Sequence, residues 1–407
     1  MGTVVVKFGG TSLGGKKAIR EAVRKVKSHL KIGQLLIIVV SAMGKTTSRL
    51  IRMAKALGPK ELPSRELDLL LSSGERIAMS LFSIALSREG IRAKAYTGSQ
   101  VGIITDTRHR NARIIEVKGD RIREDLTQGV IPIIAGFQGM SLEKEVTTLG
   151  RGGSDVTALA LAASLNCQQC YLYTDVDGIY TEDPTLFPGV KLIPGLSFDE
   201  MFELSSRGAQ IIHPRACAIG ARNRIEIWTG KDRGTGTWIK GGLMEKPEVK
   251  AITHEDRLDI ITMIRVPRKK RTIGQVITRL IEGGIRVKSF FHGISDDEFD
   301  LSFILRPGEG KRAVAIIRNI DLGEERSILK RDLGSVTLVG YGIGSDSTIL
   351  GQVFATLQKK KIHIYGVTTS ELSITCIVKN KQVKRTVRCL LKEFDLIDAH
   401  PRRTKSL

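Results

Sequence analysis

The chain has 407 residues, enough for two or three domains, and its 41% hydrophobic and 26% charged residues are the balance of a globular protein rather than a disordered or fibrous one. Its net charge of +21 is spread evenly, with 36 Lys and Arg against 25 Asp and Glu over residues 1–250 and 28 against 18 over the rest. Zinc-finger spacing and an RNA-stacking aromatic pattern are both missing, so the basicity reads as a solvated surface that recruits anionic small molecules, not nucleic acid. There is no run of about 18 apolar residues and no charged-then-apolar leader, and Val6 stands where a myristoylation signal needs Ser or Thr; a cytoplasmic location without membrane contact is expected. Cys167-x-x-Cys170 lacks the second pair or the histidines of a zinc site, and five cysteines in a chain this long fit a reducing compartment, so no metal or redox role is assigned.

In chain order, Val4-Val5-Val6 predicts a buried strand that Lys7 and Phe8 carry to its end, where Gly9 and Gly10 permit a turn before Thr11 and Ser12. Backbone N–H groups of such a turn can close on an anion, with Lys7 adding a mobile positive charge; a plain strand-to-helix turn with a surface lysine fits these residues equally well. Lys16 to Lys31 has the apolar spacing of an amphipathic helix (Ile19, Val23, Val26, Leu30), and Leu35 to Val40 is a fully apolar strand. Strand, helix and apolar strand in succession predict a parallel sheet covered by helices. Ser41 to Thr47 looks like the end of a P-loop, but the first glycine of that motif would fall at Val39; what remains is a small-residue turn bearing hydroxyls. Leu67 to Ser87 predicts a helix interrupted near its start by Ser72-Ser73-Gly74-Glu75-Arg76. Val130 to Phe137 predicts another buried strand. Thr147-Thr148-Leu149-Gly150-Arg151-Gly152-Gly153-Ser154-Asp155 then precedes an apolar helix, Val156 to Leu165, which Ser154 or Asp155 is placed to cap. The glycines expose amides beside an arginine whose planar fork suits a carboxylate. Strand Tyr171 to Thr174 leads into Asp175-Val176-Asp177-Gly178-Ile179-Tyr180, and His213, after two isoleucines and before Pro214, reads as a packed histidine. Ile225 to Trp228 predicts the last strand of the first domain.

Two segments of similar plan follow a Gly- and Lys-rich stretch. Strand Ile261–Val266, helix Thr272–Glu282, strands Ile285–Phe290 and Leu301–Leu305 and helix Ala313–Ile320 are repeated as strand 335–340, helix Ile349–Gln358, strands Ile362–Val367 and Ser373–Val378 and helix Val383–Phe394.

Val4 to Ser12, the Ser-Gly-Glu segment, Thr147 to Asp155 and the Asp175 to Pro184 run together resemble the signatures of the aspartate kinases, within the amino-acid kinase superfamily, and the repeat with Thr368-Thr369-Ser370-Glu371 resembles tandem ACT domains. The resemblance spans essentially the whole chain. It implies an α/β fold, a three-layer open and mostly parallel sheet of the amino-acid kinase type followed by two βαββαβ (ferredoxin-like) ACT domains. The corresponding boundaries are 1–230 for the catalytic domain, 231–248 for a linker, 257–325 for the first ACT domain, and 249–256 with 326–407 for the second.

The implied reaction transfers the γ-phosphoryl group of ATP, with Mg²⁺ held mainly by the nucleotide phosphates, to the side-chain carboxylate of L-aspartate. This is the first step of lysine, threonine and methionine biosynthesis. The rivals are another amino-acid kinase acting on a related acid and a non-catalytic ACT-type sensor. Lys7, Gly10, Arg151 and Asp155 are the catalytic candidates. Ser41, Thr47, Glu75, Phe137, Arg151 and Ser154 are implied for the amino acid, with Arg151 on its α-carboxylate and Glu75 and Asp155 on its α-ammonium. Lys7, Gly9, Gly10, Thr11, Thr174, Asp175 and Tyr180 are implied for the nucleotide. The chain departs from the family at Thr185 and Gln210, where a cation is common, and in the effector loops at Phe291-His292 and Ser345-Asp346-Ser347-Thr348. An amino-acid effector, lysine or threonine, is expected at the ACT domains. The expected assembly is a homodimer, or a dimer of the full-length chain with an ACT-only chain begun at Met244.

Overall fold

A computed structural model describes residues 2–59, 61–209, 211–241, 247–267, 272–292, 298–320 and 326–398. The chain divides into two compact units, Met1–Tyr180 with Lys191–Glu245, and Thr181–Val190 with Lys246–Leu407.

The first unit runs β1 (Thr3–Phe8), α1 (Lys16–Lys31), β2 (Leu35–Val40), α2 (Thr46–Leu57), α3 (Ser64–Arg88), β3 (Ala93–Tyr96), β4 (Ile103–Thr105), β5 (Ile114–Val117), α4 (Asp120–Thr127), β6 (Ile131–Ala135), β7 (Gln138–Ser141) and β8 (Val146–Thr148). It continues with α5 (Gly153–Ser164), β9 (Gln169–Tyr173), β10 (Gly195–Leu196), α6 (Phe198–Ser206), α7 (Pro214–Asn223), β11 (Glu226–Gly230) and β12 (Thr237–Ile239). Eight strands form one sheet in the order β10-β12-β11-β9-β1-β2-β6-β3, in which only the β11–β12 pair is antiparallel. A second sheet is ordered β5-β4-β7-β8.

Side chains alternate across a strand. Val4, Val6 and Phe8 of β1 therefore join one core with Val23 and Val26 of α1 and Met79, Phe82 and Leu86 of α3. Lys7 lies on the opposite face, where α5 packs. From β1 the sheet grows one way through β2 and β6 and the other way through β9 and β11, so the order reverses at β1. In open α/β sheets the crevice beyond the carboxyl ends of the strands at such a switch point is where ligands bind.

The fold corrects three expectations. Helix α3 is continuous through Ser72–Arg76, because Gly74 sits against the turn after β2: a Cβ there would lie 2.9 Å from that of Ala42. Neither Ser154 nor Asp155 caps α5; Gly152, in the left-handed region, is its N-cap, and both residues lie inside the first turn. The stretch read as linker contains β12, which zips onto β11 through Ile227, Trp228 and Thr229 and belongs to the sheet. Among the described residues α3 alone is long and apolar enough to cross a membrane, but Leu67, Leu71, Ala78, Phe82 and Leu86 bury one of its faces in the core.

The second unit runs β13 (Ala251–Pro267), α8 (Thr272–Glu282), β14 (Val287–His292), β15 (Glu298–Leu305), α9 (Gly310–Arg318), β16 (Arg326–Val339), α10 (Ser347–Lys359), β17 (Gly366–Ser370), β18 (Ser373–Lys379) and α11 (Val383–Glu393). The repeat read from the sequence is present, but β13 and β16 are each long enough to serve both copies, so a single sheet is ordered β14-β15-β13-β16-β18-β17. Ala251–Glu255 of β13 pairs antiparallel with Ser335–Val339 of β16. Thr181–Val190 belongs to this unit although it interrupts the first. The Thr181 hydroxyl donates to the Leu396 carbonyl (2.6 Å), Glu182 lies 3.3 Å from His254, and Phe187 is buried edge-on to the His254 ring.

Candidate active site

The carboxyl ends of β1, β2 and β6 gather most of the sequence-derived residues. The turn after β1 is held by Gly9 N–H donating to the Tyr173 carbonyl (3.2 Å) and by Gly44 N–H donating to the Gly10 carbonyl (2.8 Å). Gly10 is obligatory by contact, since a Cβ there would stand 2.6 Å from the Ala42 carbonyl oxygen, a backbone atom that cannot swing aside. Lys7 curls back over this turn, its Nζ 3.7 Å from where a Cβ of Gly9 would be, and pairs with Asp155 Oδ1 at 2.8 Å. Both side chains are largely buried. The pair forms because Lys7 faces α5 and Asp155 occupies the first turn of that helix.

Ala42 N–H also donates to Glu75 Oε1 (3.1 Å), which ties α3 to the same turn. The other oxygen, Oε2, is buried with no hydrogen-bond partner among the described residues. Burial pushes the Glu75 carboxyl up to about 7, against the opposing pull of the Ala42 and its own backbone N–H groups. A half-charged carboxyl with one oxygen unsatisfied is a receptor for a cation. Ser41 closes β2, its N–H donating to the Phe8 carbonyl (3.1 Å), and Thr47 lies in the first turn of α2; both are half-buried.

At the end of β6, Gly136 admits the Ser154 side chain, whose Oγ would be 2.8 Å from a Cβ at that position. Phe137 follows at φ 69°, an uncommon conformation for an aromatic residue. It is pinned by the Thr157 hydroxyl accepting from its N–H (3.1 Å) and by Leu149 N–H donating to its carbonyl (2.9 Å). Such over-determined strain is characteristic of ligand sites. Arg151, exposed, is carried between Gly150 (φ 82°) and Gly152 (φ 68°).

Thr174, Asp175 and Tyr180 stand apart from this group, beyond the end of β9. Thr174 N–H donates to the Gly230 carbonyl (3.1 Å), its hydroxyl to Asp175 (3.1 Å), and Tyr180 OH to Asp177 (3.4 Å). On the α1 side of the glycine turn lies a cavity of about 680 Å³ lined by Thr11, Gly14, Lys16, Lys25, Lys231 and Asp232. Lys16 and Lys231 escaped the sequence reading. The available signal was that Lys231 directly follows β11, the neighbour of β9, and so leaves the sheet at the same edge as Thr174. Lys25, which also lines this cavity, donates to the Lys231 carbonyl and lies 4.8 Å from the Tyr173 ring centre.

His213 is a packed residue, as read: it caps α7, accepting from Arg215 N–H (3.1 Å), and its Cβ fills the space beside Gly152. Thr185 binds Asp183 through its N–H and hydroxyl, whereas Gln210 and Met244 lie outside the described residues. Cys167 and Cys170 are buried free thiols, pushed up by burial, Cys167 to about 11. Among the described residues no group of three or more His, Cys, Asp or Glu is placed to hold a metal.

A lysine and a glycine turn at a sheet switch point, with a buried carboxyl and an arginine loop on the neighbouring elements, define a phosphotransferase of the amino-acid kinase class, and the model of the amino acid kinase family matches residues 2–228. An ACT domain model matches residues 336–394. The chain is 36% identical to aspartokinase 2 of Bacillus subtilis over 98% of its own length and 99% of that protein, and 35% identical to the aspartokinase of Corynebacterium glutamicum over 97% of each. It belongs to the aspartokinase family. Its fold matches the crystal structure of E. coli aspartokinase III in complex with aspartate and ADP, with a TM-score of 0.82 at 22% identity, covering 97% of this chain and all of that one.

Proposed function

We propose that the chain phosphorylates the side-chain carboxylate of L-aspartate with ATP, giving 4-phospho-L-aspartate and serving lysine, threonine and methionine biosynthesis. The observation that carries this reading is the buried Lys7–Asp155 pair over the Gly9–Gly10 turn. A carboxylate acceptor is already ionised at neutral pH, so no general base is needed; the barrier is repulsion between anions and their alignment. Lys7 and the turn amides supply fixed positive charge where negative charge develops. Asp155 holds Lys7 in place, a role additional to the α-ammonium contact implied by resemblance. Glu75 receives the α-ammonium on its unsatisfied oxygen, Arg151 the α-carboxylate, and Ser41, Thr47, Phe137 and Ser154 close the pocket. Thr11, Thr174, Asp175 and Tyr180 with the lysine-lined cavity take the nucleotide; Mg²⁺ held by the nucleotide phosphates would offset their charge.

The catalytic domain then extends through β12. The second unit comprises two ACT modules, 257–325 and 249–256 with 326–407, which bind lysine or threonine as effector and pair with a second copy in a cytoplasmic enzyme. Asp346 accepts from Thr348 and Ile349 N–H and so occupies the α10 N-terminus with the chain's own carboxylate, which supports an effector preference different from that of relatives lacking it. If Met244 is an internal start, the unmodified gene yields a second, ACT-only band that a Met244 codon change removes; a single band leaves the homodimer.

The test of the activity traps the acyl phosphate as hydroxamate with aspartate, glutamate and acetylglutamate in parallel. Aspartate is expected to exceed the other two by at least about 100-fold in kcat/KM, since a misplaced carboxylate leaves charged site groups unpaired. Equal turnover of glutamate overturns the substrate, and no hydroxamate with any of the three overturns the enzyme.

A further inference from the structure

Helix α3 carries a second buried carboxylate, Asp68, two turns before Glu75 and on the same side of the helix. It is fully buried and saturated with donors. Arg110 N–H reaches both its oxygens (3.2 and 2.9 Å), Thr148 donates through its N–H (3.1 Å) and its hydroxyl (2.5 Å), and His109 Nδ1 lies 2.9 Å away. These donors come from two segments distant in sequence, the loop 106–113 and the end of β8. Asp68 thereby clamps them to each other and to α3. Thr148 is three residues before Arg151. The clamped loop forms the seat of the arginine turn: a Cβ on Gly150 would lie 3.1 Å from the Arg110 carbonyl and 3.2 Å from Asn111 Oδ1, and Ala112 N–H donates to the Thr148 carbonyl (2.9 Å). Arg110 is held at φ 65°, a conformation that a non-glycine residue adopts at a cost and that the two Asp68 contacts enforce. From the other side Arg215 donates to the carbonyls of Leu149 (3.0 Å) and Ala112 (2.9 Å).

We propose that Asp68 is a positioning residue for amino-acid recognition: it fixes the seat on which the Gly150–Gly152 turn presents Arg151, while seven residues later the same helix presents Glu75. A single rigid helix thus sets the spacing between the group that takes the substrate's α-carboxylate and the group that takes its α-ammonium. Stability alone does not call for this arrangement, because well-packed apolar residues serve a core at least as well as a buried ionised network. What the network adds is one defined loop geometry, and small displacements of a substrate-binding group are costly.

The inference rests on the aspartate kinase reading, and the test separates the two. The full-length wild-type chain is assayed first; failure to phosphorylate aspartate overturns that reading before any variant is made. In an active enzyme, Asp68→Asn is expected to raise the KM for aspartate by about 10-fold or more while kcat and the KM for ATP stay within about twofold. Thr148→Val, which removes one donor and keeps the β-branched shape, is expected to raise the aspartate KM several-fold, and the double variant to be no worse than Asp68→Asn alone. If Asp68→Asn does not fold, Thr148→Val carries the test by the same comparison. An unchanged aspartate KM, or aspartate and ATP KM rising in parallel, overturns the proposal.

Discussion

Lys7→Ala is expected to lower kcat for aspartate phosphorylation by about 100- to 1,000-fold, the usual cost of deleting one preorganised group that stabilises developing charge, and to leave the aspartate KM within a few-fold of wild type. The reason lies in the place of the charge. Lys7 Nζ is fixed over the glycine turn by Asp155 at 2.8 Å, beside Gly9. Asp155→Asn leaves the lysine unheld and is expected to lower kcat in the same direction and by less, and also to raise the aspartate KM through the lost α-ammonium contact; in kcat the double variant is expected to be no worse than Lys7→Ala, because there the two residues act as one unit. Arg151→Ala is expected to differ in kind, raising the aspartate KM about 10- to 100-fold with a smaller change in kcat, if its guanidinium takes the substrate's α-carboxylate as proposed. Steady-state kinetics with each substrate varied separately distinguishes these patterns. An Arg151→Ala enzyme with unchanged aspartate KM contradicts the role of Arg151 in substrate binding, and an additive Lys7–Asp155 double variant contradicts the action of that pair as a unit.

The second large effect is in the pH dependence. Burial raises the Glu75 carboxyl from 4.5 to about 7, so in the free enzyme it is half-protonated near neutrality. Only the ionised form attracts the substrate's ammonium, so kcat/KM for aspartate falls about tenfold per pH unit on the acid side of pH 7, while the KM for ATP stays flat across the same range. Glu75→Gln removes the acid limb and lowers kcat/KM at pH 8. Its effect on stability has the opposite sign. Because the folded-state value lies above the unfolded one, the folded chain retains a proton that the unfolded chain releases between pH 4.5 and 7, and Glu75 makes the fold progressively less stable as pH rises through that window. At pH 8 the neutral variant escapes a cost of roughly 3 kcal/mol, the size of a shift of this kind. Thermal unfolding of both proteins at pH 5 and pH 8 reads it directly: the Gln variant gains over wild type at pH 8 and not at pH 5. Equal profiles would falsify the assignment of Glu75 as a buried functional carboxyl.

Much of the local structure of the candidate site was legible before the fold. Val4 to Gly10 specifies its own strand and turn because β-branched residues and paired glycines act locally. The glycines around Arg151 likewise announce backbone that only glycine adopts easily, and Gly150 and Gly152 do take positive φ. Misreadings arose where a local rule met a distant neighbour. Gly74 in α3 has the sequence signature of a break, and the helix runs through it because the glycine is the contact point for Ala42, 32 positions away. Ser154 and Asp155 have the composition of caps, but the left-handed Gly152 starts the helix before them, and their side chains turn to Gly136 and Lys7 instead.

By itself the sequence determined the long strands and helices around the glycine turn, the doubling of the C-terminal plan and the chemical kinds of group available, since propensity, periodicity and turn chemistry act over a few residues; short strands such as β12 were not legible. Tertiary structure alone decided which groups meet. Strand order brings β1 beside β9, and the packing of α5 on the Lys7 face of β1 sets Asp155 against Lys7 across 148 positions. Burial, a property of the packed whole, turns Glu75 from an ordinary carboxylate into one that titrates near 7. The partners of Asp68 lie about 40 and 80 positions away, on loops whose own sequences do not disclose that a helix carboxylate holds them. The run Asp175 to Pro184 read as one segment is divided: from Thr181 the chain, through Val190, folds with the second unit, where Phe187 is buried against His254 and the Thr181 hydroxyl donates to the Leu396 carbonyl. Contacts of this span depend on the order in which strands enter the sheets, which no local pattern encodes.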